Sequence, residues 1–306
     1  MSFASLLDDY RRAVGRCPDD HGLSLLTHDF VQRLGIVIEE LRGAGQGDQE
    51  LRDGLCGVRE ELAQSPFLRR LQTWPRGHPG DFETIHQLIR GEVQAQPGTS
   101  AYWFEALALN SPIARQHRNK IARQAAEIRR ASLGREPARI LVLACGGGQD
   151  VELAQETLLR RNVHIVLNDA DAGALEFAAR RLAPLATKLE LVCGNALGSF
   201  RQFRRRGPFD LVLAGGLFDY LNARQAHFLA SQIIGHLLKE GGCFFFSNIA
   251  APNAFKWWME LCVDWPLVER SRAELLALLD AEQCTAQLTK DETGLTWMCT
   301  AIRAPT

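Results

Sequence analysis

The sequence has no apolar run approaching the roughly 18 residues that a membrane-spanning helix needs. Its opening stretch, MSFASLLDDYRRAVG, carries acids early and has no uninterrupted apolar core. Both absences predict a chain without a transmembrane helix or a secretory signal. Charge of one sign is missing too: 35 basic side chains face 36 acidic ones, for a net charge of −1. Bulk electrostatics therefore give no reason to expect nucleic acid or a membrane surface as a partner. The eight cysteines, at 17, 56, 145, 193, 243, 262, 284 and 299, include no C-x-x-C pair. That spacing argues against a zinc site or a disulfide framework, no metal is expected, and free thiols suit a reducing cytoplasm. Internal repeats and low-complexity tracts are absent as well.

What is present falls into two halves. Residues 1–133 carry helical periodicity and little strand signal. Between Leu25 and Leu41 the apolar positions Leu26, Phe30, Leu34, Val37, Ile38 and Leu41 recur at three- and four-residue steps, which marks one buried helix face. A turn-rich break, TWPRGHPGD (73–81), precedes a helix for which Asp81 is the expected N-cap. A long arginine-rich helix is expected over 113–132. From Ala138 the pattern changes to alternating strands and helices: strands at 139–144, 163–168, 188–193, 209–214 and 242–249, with helices at 150–161, 172–183, 199–206 and 223–238. A helix at 272–281 and two strands, 284–290 and 295–303, close the chain around a tight turn at Asp291-Glu292-Thr293-Gly294. Alternation of this kind predicts an α/β domain, a doubly wound, Rossmann-like seven-stranded sheet with an antiparallel pair at one side. The 1–133 half is expected to be a helical lid domain beside the 134–306 sheet domain.

The glycine loop after the first strand, LACGGGQDVELA (143–154), points helix N-terminal amides at a ligand that backbone can approach closely. A dinucleotide site would need G-x-G-x-x-G, but Val151 stands where the third glycine should fall. Asp169 ends the second strand about 20 residues further on, placed to accept hydrogen bonds from both ribose hydroxyls. Asp171 is the weaker rival for that role. For each feature a plainer explanation exists: tight packing for the glycines, a helix cap for the acids.

In combination these features resemble class I S-adenosyl-L-methionine (SAM) methyltransferases, with Ala144 in place of the first glycine of their G-x-G-x-G loop. The resemblance implies SAM as cofactor, held by Ala144, Gly146 and Gly148 in the loop and by Asp169 at the ribose. Asn195 and Ala196 then stand at the adenine edge, and Gly216 and Asp219 after the fourth strand at the methionine end. A closer resemblance runs from about residue 65 to the end, through PRGHPGDFETI (75–85), NSPIARQHRNK (110–120), GGLFDYL (215–221) and DETGLTWMCTAIR (291–303). These stretches are similar to a bacterial group that includes 3-hydroxypalmitic acid methyl ester biosynthesis proteins. Two departures from that group are Gly147, where proline or another residue is usual, and Asn168, where the residue before the ribose acid is usually hydrophobic.

Methyl transfer is an in-line displacement, in which a protein aligns the reactants, excludes water and removes a proton where the nucleophile needs it. The candidate catalytic residues are Asp219, Tyr220, His78 and Asn248. Asp219 is either a base or, preferably, the partner of the SAM ammonium. Tyr220 either turns its ring toward the sulfonium or packs in its loop. Arg76 and Asp81, with His78 in the same turn, either close over a substrate or form a capped surface turn. Arg118 and Trp258 complete the expected substrate contacts. The other arginines of the 113–132 helix, and Arg204-Arg205-Arg206, read as a solvated face, with an acyl carrier protein as a candidate partner for them.

Three functions compete on these grounds. The first is methyl transfer to a carboxylate or hydroxyl of a small acyl or amino-acid-derived metabolite, in bacterial secondary metabolism such as antibiotic biosynthesis or in signalling. The second is SAM cyclisation to azetidine-2-carboxylate and methylthioadenosine, as in methyltransferase-like cyclases. The third is a non-catalytic SAM sensor.

Overall fold

The computed structural model of the chain describes residues 2–134, 137–279 and 283–305. Two compact units emerge, Met1–Arg115 with Ala254–Pro266, and Gln116–Asn253 with Leu267–Thr306.

The first unit is built from α1 (Phe3–Val14), α2 (Asp20–Gly43), α3 (Asp48–Gly54), α4 (Cys56–Leu62), α5 (Pro66–Thr73), α6 (Phe82–Arg90) and α7 (Ser100–Asn110). The expected apolar face of α2 is buried through Phe30, Leu34, Val37 and Ile38. Phe30 meets Tyr10 of α1 at 4.5 Å between ring centroids and Phe104 of α7 at 5.9 Å, so three helices share one aromatic centre. Helix α7 begins within the stretch QPGTSAYW (96–103). Thr99 caps it by accepting from the Tyr102 N–H.

Residues 254–266, which follow the fifth strand, belong to this unit because polar side chains stitch them there. Asp264, in a left-handed conformation (φ 51°), takes ion pairs from Arg52 and Arg59. Its carbonyl accepts from Trp74 Nε1 at 2.9 Å. Trp257 packs against Gly35, where an added Cβ would come within 2.8 Å of the indole.

The second unit is a seven-stranded sheet in the order β3-β2-β1-β4-β5-β7-β6. Strands β1 (Ala138–Leu143), β2 (Val163–Asp169), β3 (Leu189–Cys193), β4 (Phe209–Ala214) and β5 (Leu238–Ile249) run parallel. The antiparallel pair β6 (Cys284–Lys290) and β7 (Thr296–Arg303) closes one side. Strand side chains alternate faces. Leu141 and Leu143 of β1 join a core with Phe218, Phe244 and Phe246 on one face; Ile140 and Val142 join Val151, Leu175 and Phe245 on the other. Burial on both faces is what a parallel sheet with helices on each side requires.

The connecting helices are α8 (Pro112–Ser132), α9 (Gln149–Leu159), α10 (Ala172–Arg181), α11 (Phe200–Arg206), α12 (Ala223–Gln232) and α13 (Arg272–Leu276). From Gln116 onward α8 belongs with the sheet, although its sequence resembles the helical half. The helix expected over 223–238 is shorter: α12 stops at Gln232, a π-helical turn covers Ile233–Leu237, and β5 already begins at Leu238. Of the helix expected over 272–281, residues 280 and 281 lie outside the described residues. Among the described residues no helix is long and apolar enough to cross a membrane.

Candidate functional site

Strand β1 ends in a loop that no ordinary run of side chains could follow. Ala144, Gly146 and Gly148 all have positive φ, at 47°, 52° and 68°. The two glycines meet this demand freely, whereas Ala144 meets it against the crowding of its own Cβ. Gly147 is confined by packing: a Cβ there would sit 3.1 Å from the Gln149 side chain and 3.1 Å from Phe177. Val151, which breaks the dinucleotide pattern, is buried in the core beneath α9.

Asp169 is tied to this loop. Its Oδ2 accepts from the Gly146 N–H at 2.8 Å, and its Oδ1 accepts from the Asp171 N–H at 2.9 Å. These two bonds aim the carboxylate at the loop. Asp171 caps α10, accepting from the Gly173 N–H at 2.8 Å.

Asn168 has a structural explanation. Its Nδ2 donates to the carbonyls of Val192 (2.9 Å) and Gly194 (2.8 Å), stitching β2 to the turn after β3, and its buried Oδ1 has no partner among the described residues. Asn195 is exposed and its Oδ1 accepts from the Leu197 N–H, while Ala196 is buried. Gly194-Asn195-Ala196 thus forms a fixed turn beside the strand that ends in Asp169. Cys193, paired with Asp169 in the β2–β3 register, has an exposed thiol.

Asp150, in the first turn of α9, is buried, and desolvation pushes its carboxyl up to about 6. Burial also raises the Cys145 thiol well above its ordinary range.

At the C-terminal end of β4, Gly215 lies under the Gln124 side chain of α8, so closely that any Cβ there would clash at 2.3 Å. At Gly216, by contrast, a Cβ would meet nothing within 4 Å. Asp219 is 2 % exposed. Its Oδ1 accepts from the Ile249 N–H at 2.6 Å and its Oδ2 accepts from Lys120 Nζ at 3.3 Å. Burial raises its carboxyl, while Lys120, the Ile249 N–H and Arg270 oppose that rise. Tyr220 follows with an exposed ring.

Asn248 is fully engaged. Its Nδ2 donates to the carbonyls of Ile249 and Val268, and its Oδ1 accepts from Arg270. That amide holds the 268–270 segment and has no hydrogen left for a reacting group. Arg270, itself 3 % exposed, also donates to the carbonyls of Phe218 and Leu221. Lys120 and Arg270 are buried cations that sequence reasoning does not single out. Lys120 is hidden among the surface arginines of its helix, and Arg270 carries no local signal. Arg118 is half-buried, and its neighbour Asn119 donates to Asp291 of the β6–β7 turn at 2.9 Å.

The remaining candidates belong to the helical unit. Asp81 is 2 % exposed, caps α6 through the Glu83 and Thr84 N–H groups, and pairs with Arg70 at 2.7 Å. The cap expected from sequence is therefore present, and its Oδ2 also accepts from the Thr84 hydroxyl at 3.2 Å. Arg76 is an exposed residue lying over the Phe82 ring at 4.7 Å and facing Glu83 at 3.4 Å. His78 is exposed, with its Nδ1 3.3 Å from the Pro79 carbonyl oxygen. Trp258 is half-buried and meets Trp257 edge-on at 5.8 Å. Among the described residues no group of three or more His, Cys, Asp or Glu side chains could hold a metal ion.

Residues 140–242 match the family described as "Methyltransferase domain". No curated protein shows significant sequence similarity to the chain. Among solved structures, an exported-protein candidate of Bordetella parapertussis is similar at a TM-score of 0.61 and 18% identity, covering 86% of this chain and 99% of its own. The O-methyltransferase TomG from Streptomyces achromogenes, solved with SAM and involved in tomaymycin synthesis, is 18% identical at a TM-score of 0.43, covering 73% of this chain and 89% of its own. An O-methyltransferase family protein from Burkholderia thailandensis is 16% identical at a TM-score of 0.47, with coverages of 65% and 62%.

Proposed function

We propose, from the premise that the sheet unit is a class I SAM-dependent methyltransferase domain, that the protein transfers a methyl group to a carboxylate or hydroxyl of a small acyl or amino-acid-derived metabolite in bacterial secondary metabolism or signalling. The observation that carries this reading is the bond from the Gly146 N–H to Asp169 Oδ2. It joins the glycine loop to a ribose-binding acid across two adjacent parallel strands, at the carboxyl edge where open α/β sheets take their ligands.

The residues present fit SAM. Three positive-φ positions bring bare backbone to the ligand side of β1, Asp169 sets a carboxylate against that loop, and a Cβ at Gly216 would meet nothing. When bound, SAM supplies an electrophilic methyl on a sulfonium. The chain's tasks are then to orient the nucleoside through Asp169, to fix the β3 turn through Asn168 and to keep water away from the end of β4. A carboxylate acceptor needs no proton removed at neutral pH, which suits a sheet unit whose buried acids at this edge, Asp219 and Asp150, are both held by the fold. His117 is kept neutral by burial and by the neighbouring charges of Lys120 and Arg118.

Pure protein incubated with SAM alone, and then with a panel of small carboxylic and hydroxy acids, tests the proposal by mass spectrometry of the nucleoside product. S-adenosylhomocysteine appearing only with an acceptor supports it. Methylthioadenosine with azetidine-2-carboxylate from SAM alone would replace it with cyclisation, and binding with no product from any acceptor would leave a sensor.

A further inference from the structure

Two stretches of the sheet unit, 195–209 and 220–239, hold five arginines and a lysine but no aspartate or glutamate. In a chain of net charge −1 this is a local excess of one sign. The stretches carry α11 and α12, which bury Phe203, Leu229 and Ala230 in the same core on one face of the sheet. Two of the six cations are neutralised within the fold: Arg206 pairs with Glu190 and Lys239 with Asp210, each at 2.6 Å. The other four, Arg201, Arg204, Arg205 and Arg224, are exposed and meet no carboxylate among the described residues. The arginines of α8 behave differently, since Arg123 and Arg130 hold Glu127 and Arg129 donates to the Leu153 carbonyl. A charge count puts both clusters in one class; the structure separates them.

An exposed ring joins the two helices. Phe228 of α12 is 47 % exposed, one helical turn after Arg224. Its ring meets Phe200 of α11 edge-on at 6.0 Å, and Phe200 meets the buried Phe203 at 6.1 Å. Arg201 and Arg204 lie one residue and one turn after Phe200. A lone exposed phenylalanine is ordinary. This one is buttressed from the core and bordered by free guanidinium groups, and arginine and aromatic side chains are the types enriched where proteins meet. The charge calls for an acidic partner, whose carboxylates accept the guanidinium fork in two-pronged pairs. One ring is too little apolar surface to anchor a bilayer, and single-stranded nucleic acid would need successive aromatics along a groove. An acidic protein face with one apolar anchor fits both the charge and the ring.

We propose that the α11–α12 face docks a partner protein through an acidic amphipathic helix, which seats one large apolar side chain on Phe228 and pairs its carboxylates with Arg201, Arg204, Arg205 and Arg224. Helix α11 follows the Gly194-Asn195-Ala196 turn and α12 follows the turn at 217–220, so both begin at the carboxyl edge of the sheet. A protein held there stands beside the strand ends, placed to deliver or receive a small molecule. The proposal goes beyond methyl transfer and does not depend on it, because the face uses no residue assigned to the cofactor.

The probe is a fluorescent synthetic helix of about 16 residues, with glutamates at three- and four-residue steps around one central leucine. A second peptide carries alanine in place of that leucine. Fluorescence anisotropy measures both against the full chain and against R201E/R204E/R205E, F228S and R180E, with circular dichroism to confirm folding. Arg180 is an exposed arginine of α10, on the opposite face of the sheet, and serves as the control. The leucine peptide is expected to bind wild type, to weaken as salt is raised, and to lose about tenfold or more in the triple variant, with R180E unchanged. F228S should lose about tenfold for the leucine peptide and little for the alanine peptide, the coupling that a seated side chain produces. No binding to wild type, no effect of the triple variant, or equal losses for both peptides in F228S would overturn the proposal. Tighter binding of phosphatidylserine vesicles or of oligo(dT), lost in the same variants, would overturn it in favour of a lipid or nucleic-acid surface.

Discussion

The N–H of Gly146 lies 2.8 Å from Oδ2 of Asp169, so the loop of β1 is held by the acid that terminates β2. Replacing that acid removes a loop anchor and, on the proposed cofactor reading, a ribose acceptor. Asp169→Ala is expected to weaken S-adenosylhomocysteine binding by about ten- to a hundredfold, the worth of one to two hydrogen bonds to a charged group. Isothermal calorimetry reads this directly, and unchanged affinity would move the ribose site elsewhere.

Asp150 gives a pH signature. Its carboxyl rises from 3.8 to about 6 on folding, so the folded state holds its proton more tightly than the unfolded state does. The contribution to stability is full below about pH 4 and is lost as pH rises through 6. At pH 7.5 keeping the buried group ionised costs about 3 kcal/mol, since each tenfold gain in proton affinity is worth roughly 1.4 kcal/mol. Asp150→Asn should therefore raise Tm at pH 7.5 and leave it nearly unchanged at pH 4. An equal gain at both pH values would point to packing instead.

Ala144 occupies the left-handed region at φ 47°. Ala144→Gly relieves a cost of about 1–2 kcal/mol and loses somewhat less through the freer unfolded chain. A net stabilisation of about 0.5–1 kcal/mol in urea unfolding is the expected outcome, and a loss would show that the Ala144 methyl group packs productively.

Asn168 should be indispensable to the turn after β3. Asn168→Leu keeps a side chain branched at Cγ but withdraws the donor shared by Val192 and Gly194, at a cost of about 1–3 kcal/mol. Amide exchange at Gly194 and Asn195 should accelerate more than exchange in β1. Uniform acceleration would mean a global effect only.

The sheet is legible in the sequence because its strands are apolar runs bounded by turn residues, and β4 occupies the residues the pattern predicts, 209–214. The start of β5 is not legible: Lys239-Glu240-Gly241-Gly242 resembles a turn yet continues the strand through an irregular register beside Phe209. In the site, the glycine loop and Asp169 stand out by their spacing. Lys120 does not, since a charge count places it with Arg115, Arg118 and Arg123; only the shared periodicity of Gln116, Lys120 and Gln124 sets it inside. Arg270 and Asn248 meet through the tertiary fold, 22 residues apart, and no local pattern encodes such a contact.

The cysteines turn the molecule into its own reporter. Burial pushes the thiols of Cys243 and Cys262 up to about 11 and about 12 and raises those of Cys145 and Cys299 as well, so these four are slow to alkylate at neutral pH. Cys56 and Cys193 are exposed. Cys193 sits across the strand pair from Asp169, so on the proposed cofactor reading a thiol-reactive dye there would sense nucleoside occupancy, with Cys56 in the helical unit as the internal control.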